Sequence, residues 1–527
     1  MKIETLFDGI DYKLLSGDPD TEITGINIDS RLVKKGDLFV ATVGRNSDGH
    51  DYIDKAAEQG AAAVLVQSDY SYKEYLNATI IATSDTREVL SKLVNNFRGE
   101  PSKRFNLIGI TGTNGKTSTA AMIDHILSTE GHKTGLLGTI DNYCGGEVIE
   151  TLRTTPTTPD CIELGEIMTL MADNKVDDLI MEVSSMGLKA GRVTACDIDI
   201  GVFTNLSPEH LDDHGTMEDY KASKLRLFDI AKKAVINADD PVAEEAIAKA
   251  KGEVLTYGLE QYSRIPRNIH EKHPPNSVNS ARNTRTDAQA CLIASDVEYT
   301  GSGVSFTAAY TDPEGKAHVN TVSTVTPSEF AIYNALAAMG AAILSGIAPG
   351  AAAKALSDMG GVAGRYEVIT SENGISAIID YAHTAKALEN LLEAVRAVPA
   401  YKRIISVFGC GGDRDPSKRA PMGEISGRLA DYSVITSDNP RTEDPVYIVK
   451  QVEEGIKKTG RTRPAYYEAE PDRRAAIELA VSIAEPGDAI VIAGKGHEDY
   501  QILGTGKIHF DDREEIRRAF AALAAPE

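Results

Sequence analysis

Residues 107–119 read LIGITGTNGKTST, and that stretch decides the architecture. Residues 107–110 are a short apolar, β-branched run of the kind that makes a buried strand. GTNGKTS follows at 112–118, then AAMIDHIL with apolar residues at helical spacing. Strand, glycine loop and helix in that order form a phosphate cradle. Gly112 and Gly115 permit the backbone angles that turn successive N–H groups toward an anion. A helix beginning near Lys116 adds its positive dipole end, and the Lys116 ammonium reaches the β/γ-phosphates. Thr117 is placed to bind Mg²⁺ through its hydroxyl. The spacing departs from G-x-x-x-x-G-K-[ST] at one point: that pattern asks for glycine at 110, where this chain has Ile110 and places Gly109 one residue earlier.

Working outward, a chain of 527 residues exceeds what one hydrophobic core supports and implies about three domains. With 55 basic against 78 acidic residues, the net charge of −23 is the reverse of a nucleic-acid surface. No nucleic-acid partner is expected, and an anionic small substrate must be held by local devices: loop amides, metal ions and a few arginines. The first 20 residues lack an apolar stretch of signal-peptide length, and no run approaches the ~20 apolar residues of a membrane span. The expectation is a cytoplasmic protein without a membrane partner. Five scattered cysteines with no C-x-x-C pair argue against zinc or a disulfide framework. Cys410, in a glycine-rich turn, reads as a nucleophile or, more simply, as a small buried residue.

The N-terminal hundred residues read as a small α/β domain. In DYIDKAAEQGAAAVLVQ a helix bearing Ile53, Ala56 and Ala57 passes through Gly60 into a strand at 63–66. DSR at 29–31, GDLFVA at 36–41 and DGH at 48–50 supply turns that could hold a ligand, although plain turn chemistry accounts for each alone. From 102 to about 361, strands alternate with helices, implying a mostly parallel sheet covered on both faces. TTP occurs twice in tandem at 154–159. DLIMEVSS at 178–185 delivers Glu182 to the carboxyl end of a buried strand, where a Mg²⁺ ligand is expected, and the next strand delivers Asn205 and His210. YKASKLRLF reads as a helix with Lys221 and Lys224 near its start. Residues 260–287 read as a polar surface insertion. FAIYNALAAMGAAILSG at 330–346 is an apolar helix whose Asn334 is either solvent-facing, capping or a ligand contact.

From about 362 the chain is again α/β, with a Rossmann-like alternation. Its strands end in Asp380 and His383, in a glycine turn with Arg414, in Asp438, Asn439 and Arg441, and in Lys495, His497 and Glu498. Open α/β sheets bind ligands along the carboxyl edge, so these groups are expected to share one cleft.

Together these stretches resemble the Mur ligases, ATP-dependent amide-bond-forming enzymes of peptidoglycan synthesis. The motifs that carry the resemblance are TGTNGKTS, the DSR, GDLFVA and DGH turns, EVSS, TNLSPEHLDDHG, YKASK, GR at 364–365, DYAHT, FGCGGDRD, DNPR and GKGHEDYQ. The resemblance implies three domains, 1–101, 102–361 and 362–527: a small N-terminal α/β domain binding a UDP-linked substrate, a central P-loop NTPase-like parallel sheet, and a C-terminal domain binding an amino acid. It assigns Gly112, Thr113, Asn114, Gly115, Lys116, Thr117, Ser118, Asn334, Arg365 and Asp380 to ATP. Thr117, Glu182, His210 and a carbamylated Lys224 are assigned to Mg²⁺, with Lys116, Lys224 and His210 in catalysis. Ile28, Ser30, Arg45, Asn46, Ser47, Thr157, Thr158, Ser184 and Arg192 are assigned to a UDP-muramoyl dipeptide, Thr154 and Thr155 being alternatives from the first TTP copy.

DNPR marks members that add meso-diaminopimelate in place of lysine, and Arg414, Asp438, Asn439, Pro440, Arg441, Gly494 and Glu498 form the implied amino-acid site. A planar guanidinium at 441 suits the second carboxylate that lysine lacks. The implied state is a monomer. Three positions depart from the family pattern: Met186 stands for a His, Ala385 for the proline of DYAHTP, and Ala331 for an Asn. The rival readings are a lysine-adding ligase, a folylpolyglutamate-synthase-like ligase, which gives no reason for DNPR, and a slow P-loop ATPase without ligase chemistry.

Overall fold

The computed structural model describes residues 1–44, 47–71, 78–152, 155, 157–209, 211–261, 290–300 and 303–524. The polar insertion at 260–287 falls almost wholly outside them, as do Arg45, Asn46, Thr154 and His210. The chain divides into two compact units: 1–293 with 310–318 and 336–352, and 294–309 with 319–335 and 353–527.

In the first unit, strands β1 (Lys13–Ser16), β2 (Gly25–Asn27), β3 (Asp37–Val40), β4 (Ala63–Gln67) and β5 (Thr79–Thr83) make a sheet in the order β1-β5-β4-β3-β2, with only β1 antiparallel. Its central strands are mostly apolar and, apart from Gln67, buried, as strands covered on both faces must be. The helix Thr86–Phe97, capped by the Asp85 carboxylate on the N–H groups of Arg87 and Glu88, turns Leu90, Leu93 and Val94 into that core.

The second sheet of this unit is built on β6 (Asn106–Thr111), β7 (Thr134–Leu137), β8 (Asn142–Cys144), β9 (Glu147–Val148), β10 (Asp178–Glu182), β11 (Ile200–Phe203), β12 (Lys233–Asn237) and β13 (Val254–Leu259). Strand order β13-β12-β11-β6-β10-β7 is parallel throughout, and β8 and β9 add an antiparallel edge. Register is in phase: Glu182 lies opposite Ile110, and Phe203 opposite Thr111. The loops after β6, β10 and β11 therefore leave the sheet at one level. Strands β14 (Ala290–Thr300), β15 (Gly303–Thr311) and β16 (Ala317–Thr324) follow, then the helix Glu329–Leu344.

In the second unit, β17 (Glu367–Thr370), β18 (Ser376–Asp380), β19 (Ile404–Cys410), β20 (Tyr432–Ser437), β21 (Tyr467–Ala469) and β22 (Ala489–Ala493) form a sheet in the order β17-β18-β22-β19-β20-β21, parallel except for β17. Two apolar clusters fill its faces. The strands are shorter than the sequence runs suggest, because each stops where its polar groups begin. Ala385, where the family pattern has proline, is the first residue of the helix Ala385–Arg396 and sits behind a Thr384 cap. Proline is favourable at that position but not required.

The helices Arg419–Leu429 and Pro445–Lys458 approach so closely that a Cβ on Gly423 would lie 2.0 Å from Val452 O, and one on Gly455 would lie 1.9 Å from Ala420 O. Gly455→Ala should therefore lower stability by about 1–3 kcal/mol, the overpacking cost exceeding the gain in helix propensity. An earlier urea midpoint by far-UV circular dichroism, against an unshifted control such as Gly360→Ala at an open site without positive φ, checks it.

Candidate active site

The loop between β6 and the helix Lys116–Thr129 is held by the loop after β11. Thr113 N–H donates to Asn205 O (2.8 Å) and Asn114 N–H to Asn205 Oδ1 (2.9 Å), while Thr204 Oγ1 donates to Asn114 O (2.6 Å). Gly112 has φ +153°, and a Cβ there would meet Thr204 Oγ1 at 1.8 Å. Gly115, at φ +85°, caps the helix, so the chain enters its first turn with N–H groups unspent on capping side chains.

Two lysines converge on this loop. Lys116 Nζ donates to Gly112 O (2.9 Å) and Thr113 O (3.0 Å), and Lys224 Nζ donates to Gly112 O (2.7 Å). Lys224 lies in the last turn of the helix Met217–Leu225, not near its start, and is 2% exposed rather than solvated as most helix lysines are. Its ammonium sits 4.6 Å from the Tyr220 ring centroid. Burial, then the neighbouring Lys116, holds its pKa well below the usual lysine range.

Glu182 ends β10 and is 1% exposed. Its Oε2 accepts from Thr117 Oγ1 (3.1 Å) and Thr139 Oγ1 (3.0 Å), and its Oε1 from Thr139 N–H (2.9 Å). On the same edge Thr158 Oγ1 lies 3.0 Å from both Glu182 O and Ser184 Oγ and accepts from Ser184 N–H (2.8 Å). Arg192 Nη1 donates to Thr158 O (2.9 Å), and burial lowers its pKa. Thr155 also reaches Thr158 O through its hydroxyl. Thr157, Thr158, Ser184 and Arg192 are thus brought together beside Glu182. Met186 lies half-buried in the short helix Ser185–Lys189, and the neighbouring Ser185 Oγ is 3.0 Å from Nε2 of buried His214.

In the N-terminal sheet, Ser30 is buried, Ile28 is half-buried and Ser47 is exposed, its carbonyl accepting from Gly44 N–H (2.8 Å). His50 of the DGH turn accepts Gln67 N–H on Nε2 (3.1 Å) and faces Asp48 Oδ1 from Nδ1 (2.6 Å). That is an anchor for the turn, which explains the motif without a ligand.

In the second unit the carboxyl ends of β18, β19, β20 and β22 share one edge. Asp380 accepts from Tyr366 N–H and Ala382 N–H (both 2.8 Å); burial raises its pKa, with Arg365 partly offsetting this. Arg365 lies 4.7 Å from the Tyr381 ring centroid. Asn334 is buried in the middle of its helix, so it neither caps nor faces solvent. Arg441, at φ +55°, donates from Nη1 to Gly412 O (2.8 Å) and Asn439 O (3.3 Å), while Arg414 is exposed. Asn439 donates to Glu498 Oε2 (3.0 Å) and accepts Ile502 N–H (2.9 Å). Fully buried Lys495 donates to Glu498 Oε2 (3.1 Å) and lies 3.9 Å from Asp438 Oδ1. Gly494, at φ +121°, leaves the space beside Asp438 open. Arg473, also fully buried, pairs with Asp512 and donates to Ser437 O (3.3 Å) and Ala493 O (3.2 Å), the last carbonyls of β20 and β22.

Residues 22–98 match the Mur ligase family catalytic domain, 110–342 the Mur ligase middle domain, and 364–496 the Mur ligase glutamate ligase domain. A UDP-N-acetylmuramoyl-L-alanyl-D-glutamate–2,6-diaminopimelate ligase of Clostridium acetobutylicum is 41% identical over 98% of this chain and 99% of its own length. The chain belongs to the Mur ligase family. A ligase of the same description from Caldanaerobacter subterraneus is also 41% identical, over 99% of both chains. A solved structure of such a ligase superposes at TM-score 0.66 with 29% identity, covering all of both chains. The fold also matches Mycobacterium tuberculosis folylpolyglutamate synthase (TM-score 0.59, 16% identity, 78% of this chain and 92% of that one). This Mur ligase therefore has the three-domain α/β fold that its sequence implied.

Several site neighbours carry no motif signal. Thr139, Arg419 and Arg473 act through contacts between segments apart in sequence. Arg419 grips Glu443 through both guanidinium ends and donates to Gly411 O, tying the FGCGGDRD turn to the segment after DNPR. Cys410 is buried, 3.6 Å from Met422 Sδ, and burial pushes its thiol up to about 12, so the simpler reading of it holds. Iodoacetamide at pH 8 should leave Cys410 unmodified in native protein and label it only after denaturation; peptide mass mapping distinguishes the two.

Proposed function

We propose that this Mur ligase joins meso-diaminopimelate to UDP-N-acetylmuramoyl-L-alanyl-D-glutamate at the expense of ATP, as a step of peptidoglycan synthesis. Relatives of that description, 41% identical over essentially the whole chain, support the reaction. The observation that carries the choice of amino acid is Arg441, whose guanidinium is fixed by two carbonyls on the edge that also presents Asp438, Asn439 and Glu498. A fixed, planar cation beside two carboxylates suits an amino-acid head with its own carboxylate and ammonium. Arg414, Pro440 and Gly494 complete that site.

The D-glutamyl carboxylate oxygen attacks the γ-phosphorus, the bond to ADP breaks, and an acyl phosphate results. The diaminopimelate amine then attacks the acyl carbon, and the tetrahedral intermediate expels phosphate as the amine loses its proton. The N–H groups of 112–118 and the Lys116 ammonium hold the phosphates; Lys116 must exchange the carbonyls of Gly112 and Thr113 for them. Asn334, Arg365 and Asp380 are assigned to the nucleotide. Thr157, Thr158, Ser184 and Arg192 hold the peptide, and Ile28, Ser30 and 45–47 the uridine diphosphate.

The all-oxygen pair of Thr117 hydroxyl and Glu182 carboxylate fits a hard cation, and Thr117 Oγ1 already lies 3.1 Å from Glu182 Oε2. Mg²⁺ would be held there, with His210 at a second ion and carbamylated Lys224 as a further oxygen ligand, and would supply neutralisation of phosphate charge. Lys224 is suited to that modification: a buried amine hydrogen-bonded to a carbonyl gains an acceptor-rich group when its nitrogen adds to CO₂ and releases a proton. The reading takes 1–101, 102–361 and 362–527 as the three domains. The reading needs only a monomer, since one chain supplies every residue named, and ATP and a UDP-sugar place the reaction in the cytoplasm. No helix among the described residues is long and apolar enough to cross a membrane.

A coupled ADP-release assay with the UDP-muramoyl dipeptide should show turnover with meso-diaminopimelate and little with lysine; the reverse preference would overturn the assignment. Arg441→Ala should raise the KM for diaminopimelate about 30-fold or more, from loss of a charge-assisted pair worth ~2–3 kcal/mol, with the KM for ATP unmoved. With ¹³C-bicarbonate, the wild type should give a carbamate NMR resonance that Lys224→Arg lacks.

A further inference from the structure

The pair Gly138-Thr139, which no motif singles out, is shaped around one carboxylate. It directly follows β7, the neighbour of β10 in the sheet. Thr139 gives its N–H to Glu182 Oε1 (2.9 Å) and its hydroxyl to Oε2 (3.0 Å), so one residue holds both oxygens. Gly138 makes the approach possible, since a Cβ there would lie 2.6 Å from Glu182 Oε1. An ionised carboxylate only accepts, so the hydroxyls of Thr117 and Thr139 are both donors to it. A hydroxyl has one hydrogen. Thr139 therefore meets Thr157 Oγ1, 3.2 Å away, as an acceptor, and Thr157 is the donor of that pair. The hydrogen bonds run in one sense, from the threonine assigned to the peptide, through Thr139, to the carboxylate assigned to the cation.

We propose that Thr139 is a positioning residue for the reaction: it fixes the orientation of Glu182, and with it the site's affinity for a divalent cation. Nothing else in the described structure donates to both oxygens of Glu182. The inference rests on the reading of Glu182 as a Mg²⁺ ligand, and the test separates the two.

Mn²⁺ binding to the ADP-loaded enzyme, followed by the electron paramagnetic resonance of free Mn²⁺, is the readout. Thr139→Val, which keeps the shape and the N–H but not the hydroxyl, should weaken Mn²⁺ about tenfold, as loss of a ligand's hydrogen-bond partner does elsewhere. Thr139→Ser should stay within about twofold of wild type. ADP affinity without a divalent ion should be equal in all variants, which a general loss of structure would not allow. Adding Thr139→Val to Glu182→Gln should weaken Mn²⁺ no further than Glu182→Gln alone. Wild-type affinity in Thr139→Val, or an undiminished effect of it in the Glu182→Gln background, overturns the inference while leaving Glu182 as the ligand. Wild-type affinity in Glu182→Gln overturns the metal reading and the inference together. Should Thr139→Val fail to fold by circular dichroism, Thr139→Ala is read by the same criteria.

Discussion

One carbonyl, that of Gly112, takes hydrogen bonds from two lysine side chains, and the first unit's chemistry is arranged around that fact. Two ammonium groups on one acceptor repel each other, and burial of Lys224 adds a desolvation cost that its neighbour increases. The arrangement is at ease when Lys224 sheds its charge or when an anion arrives to share the load. On the proposed function, a phosphate would do the second, and conversion of the amine to a carbamate the first. The loop itself cannot relax to avoid the crowding, because Thr204 and Asn205 pin it from the next strand and Gly112 has no room for a side chain.

The same logic recurs in the second unit with the signs exchanged. There two carboxylates, Asp438 and Glu498, gather about the buried cation Lys495, while Arg441 is held by carbonyls instead of by an acid. Asn439 neutralises nothing but fixes everything: it donates to Glu498 and accepts from Ile502, so the DNPR turn and the segment after GKGHE are located by one amide. In both units, glycines stand where a backbone must come close to a charged side chain, as at Gly138 beside Glu182 and Gly411 beside Arg441.

Much of this was legible in the sequence, for a physical reason. Parallel strands covered on both faces must be continuous apolar runs, so β6, β10, β19, β20 and β22 announced themselves, and functional groups had to follow their carboxyl ends. What was illegible depends on partners distant in the chain. Lys224 looked like any helix lysine, because nothing local reports that Tyr220 and Gly112 enclose it. Thr139 and Arg473 belong to no pattern, since Thr139 acts on a carboxylate 43 residues away and Arg473 on carbonyls 36 and 20 residues away. The DGH turn was legible as turn chemistry, and its histidine is anchored between Asp48 and Gln67. For Asn334 the local sequence left solvent, a cap or a ligand open; its burial within the helix removes the first two.

Arg473 reaches the final carbonyls of β20 and β22 with one planar group and is itself gripped by Asp512 from the C-terminal helix. The gap between the two loops that follow those strands is thereby gauged from underneath, by a fully buried guanidinium. The spacing of the two strand ends is thus set by a residue outside the loops themselves. A scaffold built this way keeps the ruler beneath the rim, in a side chain of its own.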